Sequence, residues 1–151
     1  MSPLLRVYYL AVGRFLVTRW WNAYFRRLYR FMPGRAYRGL GGVPVVLLTT
    51  VGRRSGVRRA APVLGWPDGD VVIVVASNAG REKNPDWYVN LTVHPEVEVN
   101  EGGRVRQMRA RDATLEERDR LWQTLVRGYG GYEVYRAATS RRIPIVLLEP
   151  R

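Results

Sequence analysis

The feature that most constrains the fold is a series of short β-type runs that lie close together after residue 43. The runs cover residues 44–51, 57–66, 71–76, 96–100, 104–111 and 143–148. Turn signals at residues 52–56, 68–69 and 102–103 separate consecutive runs. Few helical segments lie between the runs, which argues against a doubly wound parallel sheet. The sequence therefore predicts a mainly β protein, a small closed β-barrel with peripheral helices.

Three segments of the same region carry helix signals. Residues 84–92 have Pro85 in the first turn, and a capping box at Thr114 and Glu117 opens a helix that ends near Gly128. Residues 132–138 form a further short helical segment. With 151 residues in the chain, a single compact domain is expected.

The first 31 residues predict one amphipathic helix, which Pro33-Gly34 ends. One face carries Val17, Trp21, Tyr24, Leu28 and Phe31, and the opposite face carries Arg19, Asn22, Arg26 and Arg30. This helix has two interpretations, since its aromatic face could pack on the domain or lie in a membrane interface. Residues 1–38 are predicted as an N-terminal basic helix and linker, with glycine-rich residues 39–42 leading into a barrel domain of residues 39–151.

The charge is concentrated at the N-terminus. The net charge is +12, and residues 1–40 contain eight Arg and no acidic residue. Such a balance favours anionic partners, namely nucleic acid, an acidic membrane face or a polyanionic ligand. No secretory signal and no run of 18 uncharged apolar residues is found, so a cytoplasmic location is expected, with residues 1–31 as a candidate peripheral contact on the inner face of the membrane.

The composition excludes several kinds of catalytic site. The chain has no Cys and a single His, His94, so no thiol nucleophile or metal cluster is expected and a Ser-His-Asp triad is improbable. Any chemistry here is expected to depend on a bound cofactor.

Four arginines surround the turn between the first two predicted strands. Arg53, Arg54, Arg58 and Arg59 fall within seven residues, together with Ser55. Crowded like charges repel one another, and guanidinium groups suit phosphate or carboxylate, so a bound anion would explain them. The alternative is a solvated basic hairpin without a specific ligand.

The motifs of the chain resemble those of the deazaflavin-dependent nitroreductase family of actinobacteria. Residues 49–56, TTVGRRSG, resemble its TTxGRxSG signature, and residues 84–91, NPDWYVNL, resemble its NPxWYxNL segment. Residues 111–118 and 143–150 are similar to its C-terminal half, so the match runs from about residue 41 to the end. The resemblance implies an FMN-binding-like split β-barrel that binds coenzyme F420, whose tail carries a phosphodiester and a polyglutamate chain.

The resemblance also implies which residues contact the cofactor. The implied set for the tail and ring is Gly52, Arg53, Arg54, Ser55, Arg58, Arg59, Ala60, Ala61, Pro62, Val63, Val74, Val75, Ala76, Ser77, Pro85, Asp86, Trp87, Tyr88, Val89 and Tyr132. Asn78 departs from the family, in which a basic residue is common in this loop, and Arg81 or Lys83 could replace that contact. Trp87 and Tyr88 also suit simple core packing.

Three tyrosines recur every three residues near the C-terminus and define the candidate acceptor side. Tyr129, Tyr132 and Tyr135 share roughly one helical face, and with Ser77 they are the candidate catalytic residues. In the family, a tyrosine-bearing helix covers the barrel mouth, and Tyr132 is the best candidate to contact the cofactor. The alternative is that this stripe only packs the last helix.

The expected activity is hydride transfer from reduced F420 to an apolar acceptor, either a quinone or a nitroaromatic compound. Alternatives are a carrier that binds F420 without turnover, an FMN-binding split-barrel oxidoreductase, and a nucleic-acid-binding protein. The last rests only on charge and aromatic residues, without a recognisable motif, so no nucleic acid partner is expected. Split barrels often dimerise, which makes a homodimer a candidate assembly.

Overall fold

The computed structural model describes residues 1–39 and 42–151, so Leu40 and Gly41 of the predicted linker lie outside the described residues. The strands are β1 (Val45–Val51), β2 (Arg58–Asp68), β3 (Val71–Val75), β4 (Glu96–Glu101), β5 (Arg104–Asp112) and β6 (Ile145–Pro150). They close into an antiparallel barrel in the order β1-β2-β3-β6-β5-β4. The predicted closed β-barrel is confirmed.

Six helices lie outside the barrel within the described residues. They are α1 (Pro3–Leu16), α2 (Arg19–Phe31), α3 (Pro33–Arg38), α4 (Asp86–Val93), α5 (Leu115–Gly128) and α6 (Gly131–Ala138), with a 3-10 turn at Asn78–Gly80. The capping box of α5 forms as predicted, since the Thr114 hydroxyl accepts the Glu117 N–H at 3.2 Å and the Glu117 carboxylate accepts the Thr114 N–H at 2.8 Å. The helices predicted at residues 84–92, at residues 114–128 and at residues 132–138 are confirmed as α4, α5 and α6.

Strand β3 is buried on both faces, which explains its nearly continuous Val/Ile sequence. Val72 and Val74 point into the barrel and belong to its inner core. Ile73 and Val75 point outward and pack in a second cluster with residues of α5 and α6. Strand β6 alternates in the same way, so these two strands hold the C-terminal helices on the outside of the barrel.

The prediction of one helix over residues 1–31 is wrong, because the chain forms two helices. Helix α1 ends at Leu16, and Thr18 caps α2 by accepting the Trp21 N–H on its hydroxyl at 3.4 Å. Pro33 does not end helical structure either. It occupies the first turn of α3, where its missing N–H costs nothing.

The inward face of α2 also differs from the prediction. Phe25 and Tyr29 are buried against β1, and the Tyr29 hydroxyl donates a hydrogen bond to the Val45 carbonyl. Tyr24 and Phe31, predicted on the apolar face, are 55% and 68% exposed. The buried positions Phe25 and Tyr29 each lie one residue after the predicted positions Tyr24 and Leu28, so the face of α2 that packs on the barrel is rotated from the predicted apolar face.

Helix α1 approaches α6 so closely that only glycine fits at the contact. A Cβ atom on Gly13 would lie 2.1 Å from the Tyr135 hydroxyl oxygen. That hydroxyl donates to the Tyr9 carbonyl of α1 at 3.2 Å, and the Tyr9 and Tyr129 rings meet edge to face at 5.5 Å. Within the described residues, no helix is both long and apolar enough to cross a lipid bilayer.

We expect Gly13→Ala to destabilise the fold by about 1–3 kcal/mol, because the added methyl group forces α1 and Tyr135 apart. The matched control is Gly34→Ala in α3, where a Cβ atom would meet nothing within 4 Å. That change should stabilise the protein by up to about 1 kcal/mol. Urea denaturation of both variants measures the difference, and equal stabilities would contradict the close α1–α6 contact.

Candidate functional site

An apolar cavity of about 200 Å³ lies outside the barrel, between strands β1 and β2 and the packed helices. Its predicted members are Pro62, Val63, Val75, Ser77, Pro85, Trp87, Tyr129, Tyr132 and Tyr135. It is also lined by Gly13, Leu16, Val17, Trp21, Phe25, Val43, Val45, Leu64, Asn78 and Ala79. The junction of α1 and α2 therefore forms one wall of the cavity.

A second, cationic cleft of about 330 Å³ opens at the turn between β1 and β2. It is lined by Gly52, Arg53, Arg54, Ser55, Arg59, Asp86 and Asn90. All of these except Asn90 were predicted from the sequence. Guanidinium groups and turn amides converge here, which is a donor set suited to phosphate or carboxylate.

The cavity and the cleft are lined by neighbouring residues of the same two segments, the start of α4 and strand β2. Pro85 and Trp87 line the cavity, whereas the intervening Asp86 lines the cleft. Strand β2 likewise contributes Arg59 to the cleft and Pro62 to the cavity. The arrangement therefore suits one elongated ligand with an apolar ring at one end and an anionic chain at the other.

Asn90 of α4 fixes the arginine turn from inside the fold. Its side-chain oxygen accepts the Arg53 backbone N–H at 3.2 Å and an Arg53 guanidinium N–H at 3.0 Å. Its amide nitrogen donates to the Thr50 hydroxyl at 3.3 Å, and both Asn90 and Thr50 are at least 97% buried. Asn90 stands within the NPDWYVNL segment, but its partner Arg53 is distant in sequence, and nothing local indicated the contact.

The four arginines of the turn have different surroundings. Arg53 forms an ion pair with Asp86 at 3.3 Å. Arg58 forms one with Glu98 at 2.7 Å and lies outside the cleft. Arg54 and Arg59 make no ion pair or side-chain hydrogen bond with any described residue. These two arginines are the guanidinium groups most available to an anionic ligand.

The three predicted tyrosines pack together, with Tyr132 and Tyr135 buried and Tyr129 half-buried, but their hydroxyl groups are used differently. Tyr135 donates to the Tyr9 carbonyl, so the 2.9 Å bond between Tyr129 and Tyr135 is one in which Tyr129 donates. The Tyr132 oxygen accepts the Trp66 indole N–H at 3.1 Å, and no acceptor for its own proton is found among the described residues. Burial raises the pKa of all three phenols, which keeps them protonated.

Several predicted residues lie elsewhere in the fold. Ala60 and Ala61 are half-buried on β2, Val74 and Ala76 are buried, and Val89 is half-buried on α4. The Tyr88 hydroxyl bonds to Asp112 at 3.1 Å, and burial raises its pKa to about 12. The structure brings none of these into the lining of the cavity or the cleft. Their contact with a ligand stays a prediction.

The cavity wall from α1 and α2 was missed by the sequence reasoning. Gly13 in the middle of α1 was the available signal, because an interior glycine in a helix indicates a close approach. The Asn78 and Ala79 part of the wall carried no comparable signal. It depends on positive φ angles of 45° and 53°, which residues other than glycine rarely adopt.

The family model described as F420H(2)-dependent quinone reductase matches residues 21–150. A Mycobacterium tuberculosis protein, named as a candidate F420H(2)-dependent quinone reductase, is 40% identical over 72% of this chain and 92% of its own. A solved F420-H2 dependent reductase, FDR-A, has a TM-score of 0.65 and 36% identity, over 70% of this chain and 94% of its own. A second solved chain, described as a domain-swapped dimer, has a TM-score of 0.67 and 32% identity, over 84% of this chain and 96% of its own.

We expect Asn90→Ala to lower the free energy of unfolding by about 1–3 kcal/mol, because it removes the partner of the buried Thr50 hydroxyl and of the Arg53 amide. Asn22→Ala is the control, since the Asn22 side chain on α2 makes no hydrogen bond with any described residue. Its effect should stay within about 0.5 kcal/mol. Urea denaturation compares the two, and a small loss for both would show that Asn90 does not hold the turn.

Proposed function

Because the chain belongs to the F420H(2)-dependent quinone reductase family, we propose that it transfers a hydride from reduced F420 to a quinone-type acceptor bound in the apolar cavity. The family resemblance expected from the motifs at residues 49–56 and 84–91 is thereby confirmed, and the protein is an oxidoreductase with F420 as its cofactor. A nitroaromatic compound is a second acceptor that suits the same apolar surroundings.

The observation that carries the proposal is that the same two segments, strand β2 and the start of α4, line both the apolar cavity and the cationic cleft. Arg54 and Arg59, free of carboxylate partners among the described residues, would hold the anionic tail, together with Arg53 and Ser55. Pro62, Val63 and Trp87 would lie against the apolar ring. The residues present therefore fit the cofactor at both of its ends, and a shorter ligand such as FMN would use less of the cleft.

When bound, the reduced deazaflavin supplies the hydride, and the chain supplies position, shielding from water and a hydrogen-bond donor. Tyr132 suits orienting an acceptor through a hydrogen bond, because its oxygen already accepts the Trp66 N–H, which leaves its own proton for an acceptor in the cavity. Tyr135 uses its proton to join α6 to α1, and Tyr129, at the end of α5, donates its proton to Tyr135, so the role of both would be to position the wall.

We expect the protein to bind F420 more tightly than FMN and to lose affinity as the salt concentration rises. Arg59→Ala should raise the F420 dissociation constant by about tenfold or more, since each charge-assisted bond is worth about 1.5–3 kcal/mol. Arg104→Ala is the control, because Arg104 is exposed on β5 and lines neither the cavity nor the cleft. Fluorescence titration checks both variants.

Three outcomes of that titration would count against the proposal: FMN bound more tightly than F420, affinity independent of salt, or equal losses for the two variants. Oxidation of reduced F420 by a soluble quinone analogue then separates a reductase from a carrier. Tight binding with no turnover would identify the chain as a carrier of the deazaflavin.

The outer side of α1 and α2 supports a second part of the proposal, peripheral contact with an anionic membrane surface. Large apolar residues there are exposed, with Leu4 and Trp20 at 82% and 86%. The eight arginines of residues 1–40 have no acidic residue among them. Apolar side chains beside arginines suit the interface of an anionic bilayer, where quinones are also found.

Trp20→Ser should weaken binding to anionic phospholipid vesicles about tenfold, because burying a large apolar side chain is worth about 1.5–3 kcal/mol. Leu115→Ser on α5, 64% exposed and remote in sequence from α1 and α2, is the control and should bind as the parent does. Co-sedimentation with vesicles measures the membrane binding of both variants. Point substitutions are used instead of a deletion of α1 and α2 because these helices line the cavity. Equal binding of both variants would overturn the membrane proposal.

The oligomeric state and the division of the chain into two segments are two further parts of the proposal. The domain-swapped relative supports a homodimer for this chain, which sedimentation velocity would test. The division into an N-terminal segment of residues 1–38 and a barrel of residues 39–151 stays a prediction, although α1 and α2 contribute directly to the cavity wall.

A further inference from the structure

The 3-10 turn beside the cavity has an unfavourable backbone. Asn78 and Ala79 adopt φ angles of 45° and 53°, in the left-handed region that costs energy for residues with a Cβ atom. Ala79 is 98% buried, and both residues line the cavity together with Ser77. Such a conformation persists only where surrounding contacts hold it, and it often occurs at functional sites.

Arg141 provides that contact from the loop before β6. Its guanidinium donates to the Arg81 carbonyl at 2.8 Å, to the Ser77 carbonyl at 2.8 Å and to the Asn84 side-chain oxygen at 2.8 Å. Two further N–H groups both reach the Ala76 carbonyl at 3.2 Å. Its acceptors therefore lie on both sides of the turn, so one rigid planar group ties the two ends together.

Glu82, in the loop after the 3-10 turn, and Ser140, in the loop before β6, join the same two loops a second time. The Glu82 carboxylate accepts the Ser140 backbone N–H at 3.0 Å and the Ser140 hydroxyl at 2.9 Å. These bonds lower the pKa of Glu82, so it stays ionised at neutral pH. Within the turn, the Asn78 side chain donates to the Lys83 carbonyl at 2.9 Å.

Arg141 has only neutral acceptors, a property that among the bonded arginines of the described residues it shares with Arg118, which donates a single bond to the Ile143 carbonyl. Among the described residues it makes no ion pair, and burial lowers its pKa. Every donor of its guanidinium is spent on a carbonyl or amide oxygen, so the group is suited to fixing a backbone rather than balancing a charge. A lysine has three donors around a single nitrogen and reaches only part of this set.

We propose that Arg141 is a positioning residue, whose guanidinium fixes residues 77–79 as the wall of the acceptor cavity. The inference rests on the proposed reductase function, because it is the acceptor and cofactor ring that this wall would orient. Arg141 acts through the backbone carbonyls and does not itself line the cavity. Losing it would release the strained turn, and Ser77 would no longer be held against the bound acceptor.

The test compares Arg141→Ala and Arg141→Lys with Arg142→Ala. Arg142 is the adjacent exposed arginine and makes no side-chain hydrogen bond with a described residue. The first readout is amide hydrogen exchange in the protein without cofactor. The Gly80 and Arg81 N–H groups close the turn by bonding to the Ser77 and Asn78 carbonyls at 2.9 Å and 3.2 Å.

The expected result is that these two amides exchange at least tenfold faster in Arg141→Ala, with an intermediate rate in Arg141→Lys and no change in Arg142→Ala. The second readout is kinetic. Arg141→Ala should lose at least tenfold in kcat/KM for the quinone, with the F420 dissociation constant changed less than threefold, because the cleft arginines are untouched. Partial recovery of kcat/KM in Arg141→Lys is expected.

Two results would overturn the inference. One is that Arg141→Ala has the same amide exchange rates and the same kcat/KM as Arg142→Ala. The other is faster exchange throughout the barrel with parallel losses of affinity and turnover, which would indicate a general structural role. If Arg141→Ala does not fold, Arg141→Gln, which keeps two N–H donors, takes its place in the same comparison. A parent protein that neither binds F420 nor reduces a quinone would reject the proposed function, while the exchange readout would still decide the role of Arg141.

Discussion

Burial of β3 and β6 on both faces is the constraint on which the rest of the molecule depends. Their inward side chains close the barrel core, and outward residues such as Ile73 and Ile145 hold α5 and α6 against its outer wall. Only because α6 is held there do Tyr132 and Tyr135 reach the cavity. The apolar pattern of two strands therefore fixes both the fold and the position of the candidate hydrogen-bond donor.

The site separates two kinds of recognition in space. The cleft offers guanidinium groups in contact with solvent, where charge-assisted bonds to an anionic chain favour binding and are screened by salt. The cavity offers apolar surface and very few polar groups, which suits an aromatic ring and an apolar acceptor. Asn90 links the two parts, since it supports the arginine turn from the helix whose first residues border both. Under the proposed function, different residues would provide affinity for the cofactor and orient the acceptor.

The barrel and the arginine turn could be predicted because their signals are local: alternating Val/Ile runs, glycine turns and clustered arginines. The break between α1 and α2 was missed although it has a local signal, because Thr is a favoured N-cap residue and Thr18 caps α2. The partner of Gly13 could not be predicted, because Tyr135 is far along the chain. The contacts of Asn90 and Arg141 are likewise between segments distant in sequence. A single sequence carries no pattern for such pairs.

The burial that positions Tyr132 also decides its chemistry. A phenol removed from water resists ionisation, so desolvation raises the pKa of Tyr132 and keeps it a donor across the physiological range. A histidine in the same place would change its charge near neutral pH and would act as donor only below its pKa. The Trp66 N–H reinforces the assignment, because it occupies the phenol oxygen and directs the one remaining proton to another acceptor. The same burial makes Tyr132 a weak acid, so the role that its environment favours is a neutral hydrogen-bond donor that would orient and polarise an acceptor.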